Sequence, residues 1–151
     1  MKECIHITEK YLKDATPGRG ELIKQEGYSD SLHPDEIAIA KWLIRTLGGS
    51  VVLLSEKNQN NIKTPDFLWH DKYWDLKEVS SSKAVDNAVR KGLRQIQDNP
   101  GGIILDFKKT SINLSDVKKM IEDRLRRGFP SSVDLILVSR DKLVVVYRYK
   151  K

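Results

Sequence analysis

Residues 64–79 read TPDFLWHDKYWDLKEV, and this stretch decides the fold that we predict. Two short apolar runs flank a polar break at 70–72, a pattern that predicts a β-hairpin. Successive side chains of a strand point to opposite faces, so Asp75 and Lys77 share one face, and the turn brings Asp66 back across from them. Two carboxylates from adjacent strands make an oxygen-rich site suited to Mg²⁺ or Mn²⁺, beside which a lysine can orient a water.

The same hairpin has a plainer interpretation. Charged residues that alternate with aromatic ones often form the solvated face of a half-buried sheet. Asp75 and Lys77 would then be an ordinary exposed ion pair that contributes little to stability. The spacing alone does not separate the two interpretations, so the rest of the chain has to be weighed.

Composition narrows the class of protein. The chain has 151 residues, 39% of them hydrophobic and 32% charged, which fits one globular domain with a core of its own. A single cysteine, Cys4, excludes an internal disulfide and a thiolate zinc cluster. The net charge of +6 favours a polyanionic partner. No apolar run reaches the roughly 18–20 residues that cross a bilayer, and the first residues lack a secretory signal, so we expect no membrane insertion.

A helix is predicted from Pro34 to about residue 47, ending at two glycines. Glu36 lies three and seven positions before Ile39 and Leu43, so it falls on the buried side of this helix. A carboxylate there is costly unless it is paired or binds a cation. The alternative is that Glu36 simply offsets the dipole at an exposed helix start.

A second helix is predicted over 83–98, and one of its faces is strongly basic. That face consists of Asn87, Arg90, Lys91 and Arg94, with Gln95 one step away. Most basic helix faces are simply solvated. The competing interpretation is a surface that follows nucleic-acid phosphates. Gly92 in the same helix would let a strand approach closely.

The order of the predicted elements gives the fold class. After an N-terminal segment, 1–32, with one short helix near 5–13, the elements are as follows: the helix at 34–47, a strand at 51–54, a polar loop at 56–63, the hairpin, the helix at 83–98, a strand at 102–107, a helix capped by Ser115, and strands at 133–138 and 143–149. A helix between the second hairpin strand and the strand at 102–107 implies parallel pairing. We therefore predict a single α/β domain at 33–151, with a central mixed sheet flanked by helices: an αβββαβ core followed by a helix and a β-hairpin.

This order, with Pro65-Asp66 and Asp75-Leu76-Lys77 on the middle strands, resembles the PD-(D/E)xK nuclease superfamily. By that resemblance Asp66 and Asp75 are metal-binding carboxylates, and Lys77 is the catalytic lysine. Leu76 would lend its backbone carbonyl to the metal.

Two further points of likeness lie outside the hairpin. Glu36 matches the glutamate that many superfamily members carry on their first helix, as a further catalytic and metal-binding residue. More narrowly, residues 27–107 resemble the C-terminal nuclease domains of CdiA-type contact-dependent growth inhibition toxins. Residues 110–151 carry no motif that we can match.

The resemblance implies a metal-dependent endonuclease that hydrolyses phosphodiesters with Mg²⁺ or Mn²⁺, Zn²⁺ being less favoured. It implies a toxin domain that is exported within a larger bacterial effector, cleaves tRNA in the target-cell cytoplasm, and is neutralised in its producer by an immunity protein. Arg90, Lys91, Arg94 and Gln95 would then contact flanking phosphates. Two alternatives stay open: a DNA endonuclease of the toxin, restriction or repair type, and a non-catalytic nucleic-acid-binding domain.

The three histidines do not suggest a paired-histidine ribonuclease. His6 is in the N-terminal segment, His33 precedes a helix and His70 is at a turn. We therefore disfavour a metal-independent mechanism based on them, although His70 is close enough in sequence to the hairpin site to contribute.

Overall fold

The computed structural model describes residues 3–55, 64–108, 112–128 and 132–150. The strands are β1 (Cys4–His6), β2 (Leu22–Lys24), β3 (Val51–Leu53), β4 (Phe67–Trp69), β5 (Lys72–Glu78), β6 (Pro100–Phe107), β7 (Val133–Ser139) and β8 (Lys142–Tyr149). The α-helices are α1 (Thr8–Asp14), α2 (Pro34–Thr46), α3 (Val85–Ile96) and α4 (Leu114–Arg126). Short 3₁₀ turns at Asp30–Leu32 and Ser82–Ala84 precede α2 and α3. The polar loop predicted at 56–63 lies outside the described residues.

One mixed sheet contains all eight of these strands, in the order β1-β8-β7-β6-β5-β4-β3-β2. The β5–β6 and β6–β7 pairs are parallel, and the β4–β5 and β7–β8 pairs are antiparallel hairpins. From α2 onward, the order of helices and strands is the predicted one. The predicted α/β fold with a central mixed sheet is therefore confirmed.

Helices cover both faces of the sheet. Hydrophobic side chains of α3 and α4 pack on one face together with Val79, Ile103 and Leu105. Those of α2 pack on the other face together with Trp74 and Ile104. Side chains of β5 therefore alternate between the two faces, with Tyr73 against the first cluster and Trp74 and Leu76 against the second.

Two-residue turns fix the register of both hairpins. His70 and Asp71 have φ of 52° and 62°, and Arg140 and Asp141 have the same values. Positive φ at both central residues is the geometry of a type I′ turn, whose twist matches that of the flanking strands. The first turn sets Phe67 opposite Trp74, and this register places Asp66 beside Asp75.

The N-terminal segment differs most from its sequence interpretation. The short helix predicted near 5–13 is present, but it begins only at Thr8, because Cys4–His6 form a strand that pairs with β8. Residues 22–24 add a parallel strand beside β3 at the opposite edge of the sheet. The N-terminal 32 residues thus contribute strands to both edges.

Two smaller points concern the helices. The cap of α4 is Asn113 and not Ser115, since the Asn113 side chain accepts a hydrogen bond from the Asp116 N–H at 3.2 Å. The close approach predicted at Gly92 is present, because a Cβ there would lie 2.8 Å from the Ile103 side chain of β6.

None of the helices in the described ranges is both long and apolar enough to cross a membrane.

Candidate active site

Asp66 precedes β4 and is held against β5 by two hydrogen bonds. Its backbone N–H donates to the Trp74 carbonyl at 3.0 Å, and its Oδ2 accepts a hydrogen bond from the Leu76 N–H at 2.7 Å. The second bond runs from the start of β4 to the middle of β5. It therefore fixes the Asp66 carboxylate next to the backbone of β5, beside Asp75.

Asp75 is a buried carboxylate, with only 1% of its surface exposed. Lys77 Nζ lies 2.8 Å from its Oδ2. This ion pair sets the ammonium directly against the buried oxygen. Burial and the charge of Asp66 raise the pKa of Asp75 to about 8, although Lys77 opposes this rise. One ammonium is thus set against two carboxylates, a balance that favours an additional cation.

Glu36, in the first turn of α2, is bound through both carboxylate oxygens. The Tyr28 hydroxyl donates to its Oε1 at 3.2 Å, and His33 Nδ1 lies 3.2 Å from its Oε2. Burial raises the pKa of Tyr28, as do the charges of Glu36 and, more weakly, of Asp66. Glu36 and Asp66 are therefore close enough to one tyrosine for both of their charges to act on it.

These groups meet at a small cavity of about 270 Å³ between the start of α2 and the carboxyl end of β5. Glu36, Asp66, Leu76 and Lys77 line it. Asp75 is not one of the lining residues, and its contact with the cavity is through Lys77 and Asp66. The structure thus brings together Asp66, Asp75 and Lys77, and it adds Glu36 from the first long helix.

Lys108 closes one side of this region. Its Nζ lies 2.7 Å from Glu78 Oε1 and 3.1 Å from Asp35 Oδ1, and both of these acidic residues line the cavity. The interactions with Glu78 and Asp35 raise the pKa of Lys108. This lysine joins the end of β6 to β5 and α2, so it fixes how the three elements meet around the cavity.

The basic face of α3 does not line this cavity. Lys91 and Arg94 are exposed, and Arg90 donates a hydrogen bond to Asn87 Oδ1 at 2.6 Å. Gln95 is half-buried, and its Oε1 has no hydrogen-bond partner among the residues that the structure describes. None of these residues is among those that line the acidic cavity.

Sequence reasoning missed Tyr28 and set His33 aside. Tyr28 is in a segment without periodicity, so no sequence signal connected it with Glu36. His33 did carry one, since it lies three residues before Glu36, the spacing at which side chains around a helix start can meet. Both residues orient Glu36, and His33 also lines the cavity.

The donor set can be compared with what a divalent cation needs. Mg²⁺ and Mn²⁺ prefer carboxylate and carbonyl oxygens, which Asp66, Asp75, Glu36 and the Leu76 carbonyl supply. Asp75 Oδ2 is paired with the Lys77 ammonium at 2.8 Å. In the described ranges no three His, Cys, Asp or Glu side chains are already grouped as a metal site. The two hairpin carboxylates therefore fit such an ion. Glu36, which Tyr28 and His33 hold, lines the same cavity as Asp66.

A comparison with known protein families shows the family to which the chain belongs. Residues 63–142, slightly more than half of the chain, match the family described as the contact-dependent growth inhibition CdiA C-terminal domain. The chain belongs to this family. The match contains Asp66, Asp75 and Lys77, and it extends beyond residue 107, where our sequence resemblance ended. Neither the search of curated proteins nor that of solved structures found a match.

Membership of this family indicates what kind of protein contains the domain and which partner it has. CdiA C-terminal domains are bacterial toxins, often nucleases, and they belong to larger exported effectors of contact-dependent growth inhibition. They act together with cognate immunity proteins. The sequence prediction of a growth-inhibition toxin domain is confirmed at this level.

Proposed function

We propose that this CdiA C-terminal domain is a metal-dependent endonuclease of the PD-(D/E)xK type, with tRNA in the cytoplasm of the target cell as its substrate. One observation supports the chemistry above all others: a buried carboxylate, Asp75, lies beside Asp66 and is paired with Lys77, and both of these neighbours line a polar cavity. Family membership supports a toxin, and the net charge of +6 suits a polyanionic substrate.

In this proposal Asp66, Asp75, Glu36 and the Leu76 carbonyl hold one or two Mg²⁺ or Mn²⁺ ions. Such an ion supplies Lewis-acid activation of the scissile phosphate and lowers the pKa of a bound water. Lys77 lines the cavity and is fixed by Asp75, so its ammonium can orient the attacking water and offset charge on the phosphate. The water oxygen bonds to phosphorus as the bond to the leaving nucleotide breaks, and the leaving oxygen takes up a proton.

Substrate positioning is assigned to the basic face of α3. Arg90, Lys91, Arg94 and Gln95 would contact phosphates that flank the scissile one, since phosphate contacts position a nucleic acid without reading its sequence. The cognate immunity protein would cover this basic surface through acidic side chains. We infer this from charge complementarity.

The proposal is tested by incubating the protein with total RNA and, separately, with plasmid DNA, each with Mg²⁺ and with EDTA. We expect RNA to be cut in Mg²⁺ and to survive in EDTA, with plasmid cut far more slowly. Cleavage of plasmid alone would reassign the domain as a DNA endonuclease. Binding of either nucleic acid without any cleavage would favour the non-catalytic alternative.

Metal binding also predicts a change in stability. Mn²⁺ or Mg²⁺ should raise the melting temperature of the wild type, because the ion binds the folded state and relieves repulsion between Asp66 and Asp75. At about 100 times the dissociation constant, the gain would be ~2.7 kcal/mol. Differential scanning fluorimetry of Asp66→Asn should show a clearly smaller metal response. An undiminished response would place the ion elsewhere.

Tyr28→Phe should lower the cleavage rate about tenfold with little loss of stability. The variant removes the hydroxyl that holds Glu36 Oε1, and loss of a group that orients a ligand typically costs about 10- to 100-fold in activity or metal affinity. Initial rates with RNA at saturating Mg²⁺ would measure the effect. Tyr73→Phe is the matched control, since Tyr73 is half-buried on β5 and its hydroxyl makes no hydrogen bond to a described residue. Equal rates for both variants would contradict the role of Tyr28.

A further inference from the structure

Lys108 directly follows β6, and its ammonium lies between carboxylates of two other elements. Its Nζ is 2.7 Å from Glu78 Oε1, at the end of β5, and 3.1 Å from Asp35 Oδ1, in the first turn of α2. Both carboxylates line the acidic cavity, which Glu36 and Asp66 also line. The ammonium therefore joins two carboxylate oxygens, a position that a divalent cation often takes in proteins.

A third carboxylate makes the surroundings of Lys108 more negative. Asp106 is buried, with 9% of its surface exposed, and lies opposite Glu78 in the register of β5 and β6. Burial raises the pKa of Asp106, and the charges of Glu78 and Asp35 add to the rise, whereas the charge of Lys108 opposes it. One ammonium thus stabilises acidic groups from α2, β5 and β6.

The acidic site contains more carboxylates than ammonium groups. Lys77 is paired with Asp75 at 2.8 Å, and Lys108 is shared by Asp35 and Glu78. These two lysines stand against five carboxylates that line the cavity or pair with Lys77, namely Asp35, Glu36, Asp66, Asp75 and Glu78. One divalent ion nearly neutralises the excess of negative charge. A second ion would reverse its sign, and it would compete with Lys108 for oxygens that are already paired.

We propose that Lys108 is a built-in counter-ion that takes the place of a second divalent ion, so that the acidic site holds a single ion, beside Asp66. The inference rests on the proposed metal site. It concerns the number of ions that this site binds, and it does not depend on which nucleic acid is cut. Asp35 and Glu78 are bound by the lysine, and the remaining carboxylates are left for the divalent ion.

Removal of this ammonium should therefore create a second ion site. Lys108→Gln leaves Asp35 and Glu78 without the cation that now joins them, and a Mn²⁺ ion can take its position. We expect the affinity for a second ion to rise about tenfold or more, because a positive charge within contact distance of those oxygens is lost. Lys108→Arg keeps the charge and should bind one ion, like the wild type.

The test is a Mn²⁺ titration without nucleic acid, in which the electron paramagnetic resonance signal of free Mn²⁺ gives the number of bound ions. We expect one ion on the wild type and on Lys108→Arg, and two on Lys108→Gln. Lys10→Gln is the matched control, because Lys10 pairs with a single aspartate, Asp14, at 3.5 Å on α1, and this variant should bind one ion. Melting curves verify that the variants fold.

A second substitution locates each ion. Asp66→Asn should remove the single ion of the wild type, and Asp66→Asn combined with Lys108→Gln should keep only the ion that Asp35 and Glu78 bind. Two ions on the wild type, or a folded Lys108→Gln protein that binds one ion, would overturn the role of Lys108 and leave the nuclease proposal standing. A wild type that binds no ion would overturn both.

Discussion

In metal-free buffer, Asp75→Asn is expected to raise the melting temperature, and to raise it more at pH 8 than at pH 5. The pKa of Asp75 is about 8 in the folded protein, against an ordinary value of 3.8. Between these values the folded state keeps a proton that the unfolded state releases, so wild-type stability falls as the pH rises. The fall approaches ~1.4 kcal/mol per pH unit for one such group. Asparagine has no proton to lose and escapes this cost.

Melting curves of the wild type and of Asp75→Asn in EDTA, at several pH values from 5 to 8.5, measure the effect. For a chain of this length, a gain of ~2 kcal/mol corresponds to about 4–8 °C. Asp71→Asn is the matched control, because it makes the same chemical change at the exposed turn of the same hairpin. A difference between Asp75→Asn and the wild type that does not change with pH would show that Asp75 is ionised at ordinary pH.

Lys77→Gln is expected to lower RNA cleavage by about 10²- to 10³-fold, the usual cost of removing a group that stabilises charge in the transition state. The Lys77 ammonium lies 2.8 Å from Asp75 Oδ2 and lines the acidic cavity, where it can reach a phosphate. It is not a metal ligand in the proposed site. The Mn²⁺-induced rise in melting temperature should therefore persist in this variant, which separates the role of Lys77 from that of Asp66.

The measurement is a single-turnover cleavage rate at saturating Mg²⁺, with Lys119→Gln as the control. Lys119 is exposed on α4, so the same change there should leave the rate unaltered. A Lys77→Gln rate within about twofold of the wild type would remove this lysine from the mechanism.

The hairpin could be predicted from sequence because its signals are local. The polar break at 70–72 and the alternation along β5 determine which face each side chain occupies, and this places Asp75 beside Lys77. Asp66 follows from the register of the same turn. Glu36 could be placed because the helical period shows which residues face inward. These predictions need only a few residues of neighbouring sequence.

Other features depend on contacts between distant parts of the chain. Strand β1 pairs with β8, so that Cys4 lies opposite Tyr149, and nothing in a three-residue strand predicts such a partner. Tyr28 reaches Glu36 only because the N-terminal segment passes the start of α2. The basic stripe of α3 was correctly placed on a helix, but its position relative to the cavity depends on helix packing, which periodicity does not report.

The contacts of Asp134 likewise join distant parts of the chain. Tyr11 and Arg148 are 137 positions apart in the numbering, yet both bind Asp134. In the sequence, Asp134 is a single charged residue within an otherwise apolar predicted strand, 133–138. Only the sheet order, which sets β8 between β1 and β7, explains why that carboxylate is paired and buried.

The most direct test of the nuclease site is the rate at which Asp66→Asn cleaves purified tRNA in Mg²⁺, relative to Asp71→Asn in the same hairpin. If Asp66 and Asp75 hold the catalytic metal, Asp66→Asn should lose about 10²- to 10³-fold or more in rate while its melting curve shows an intact fold, and Asp71→Asn should match the wild type. Wild-type cleavage by a folded Asp66→Asn protein would contradict the account.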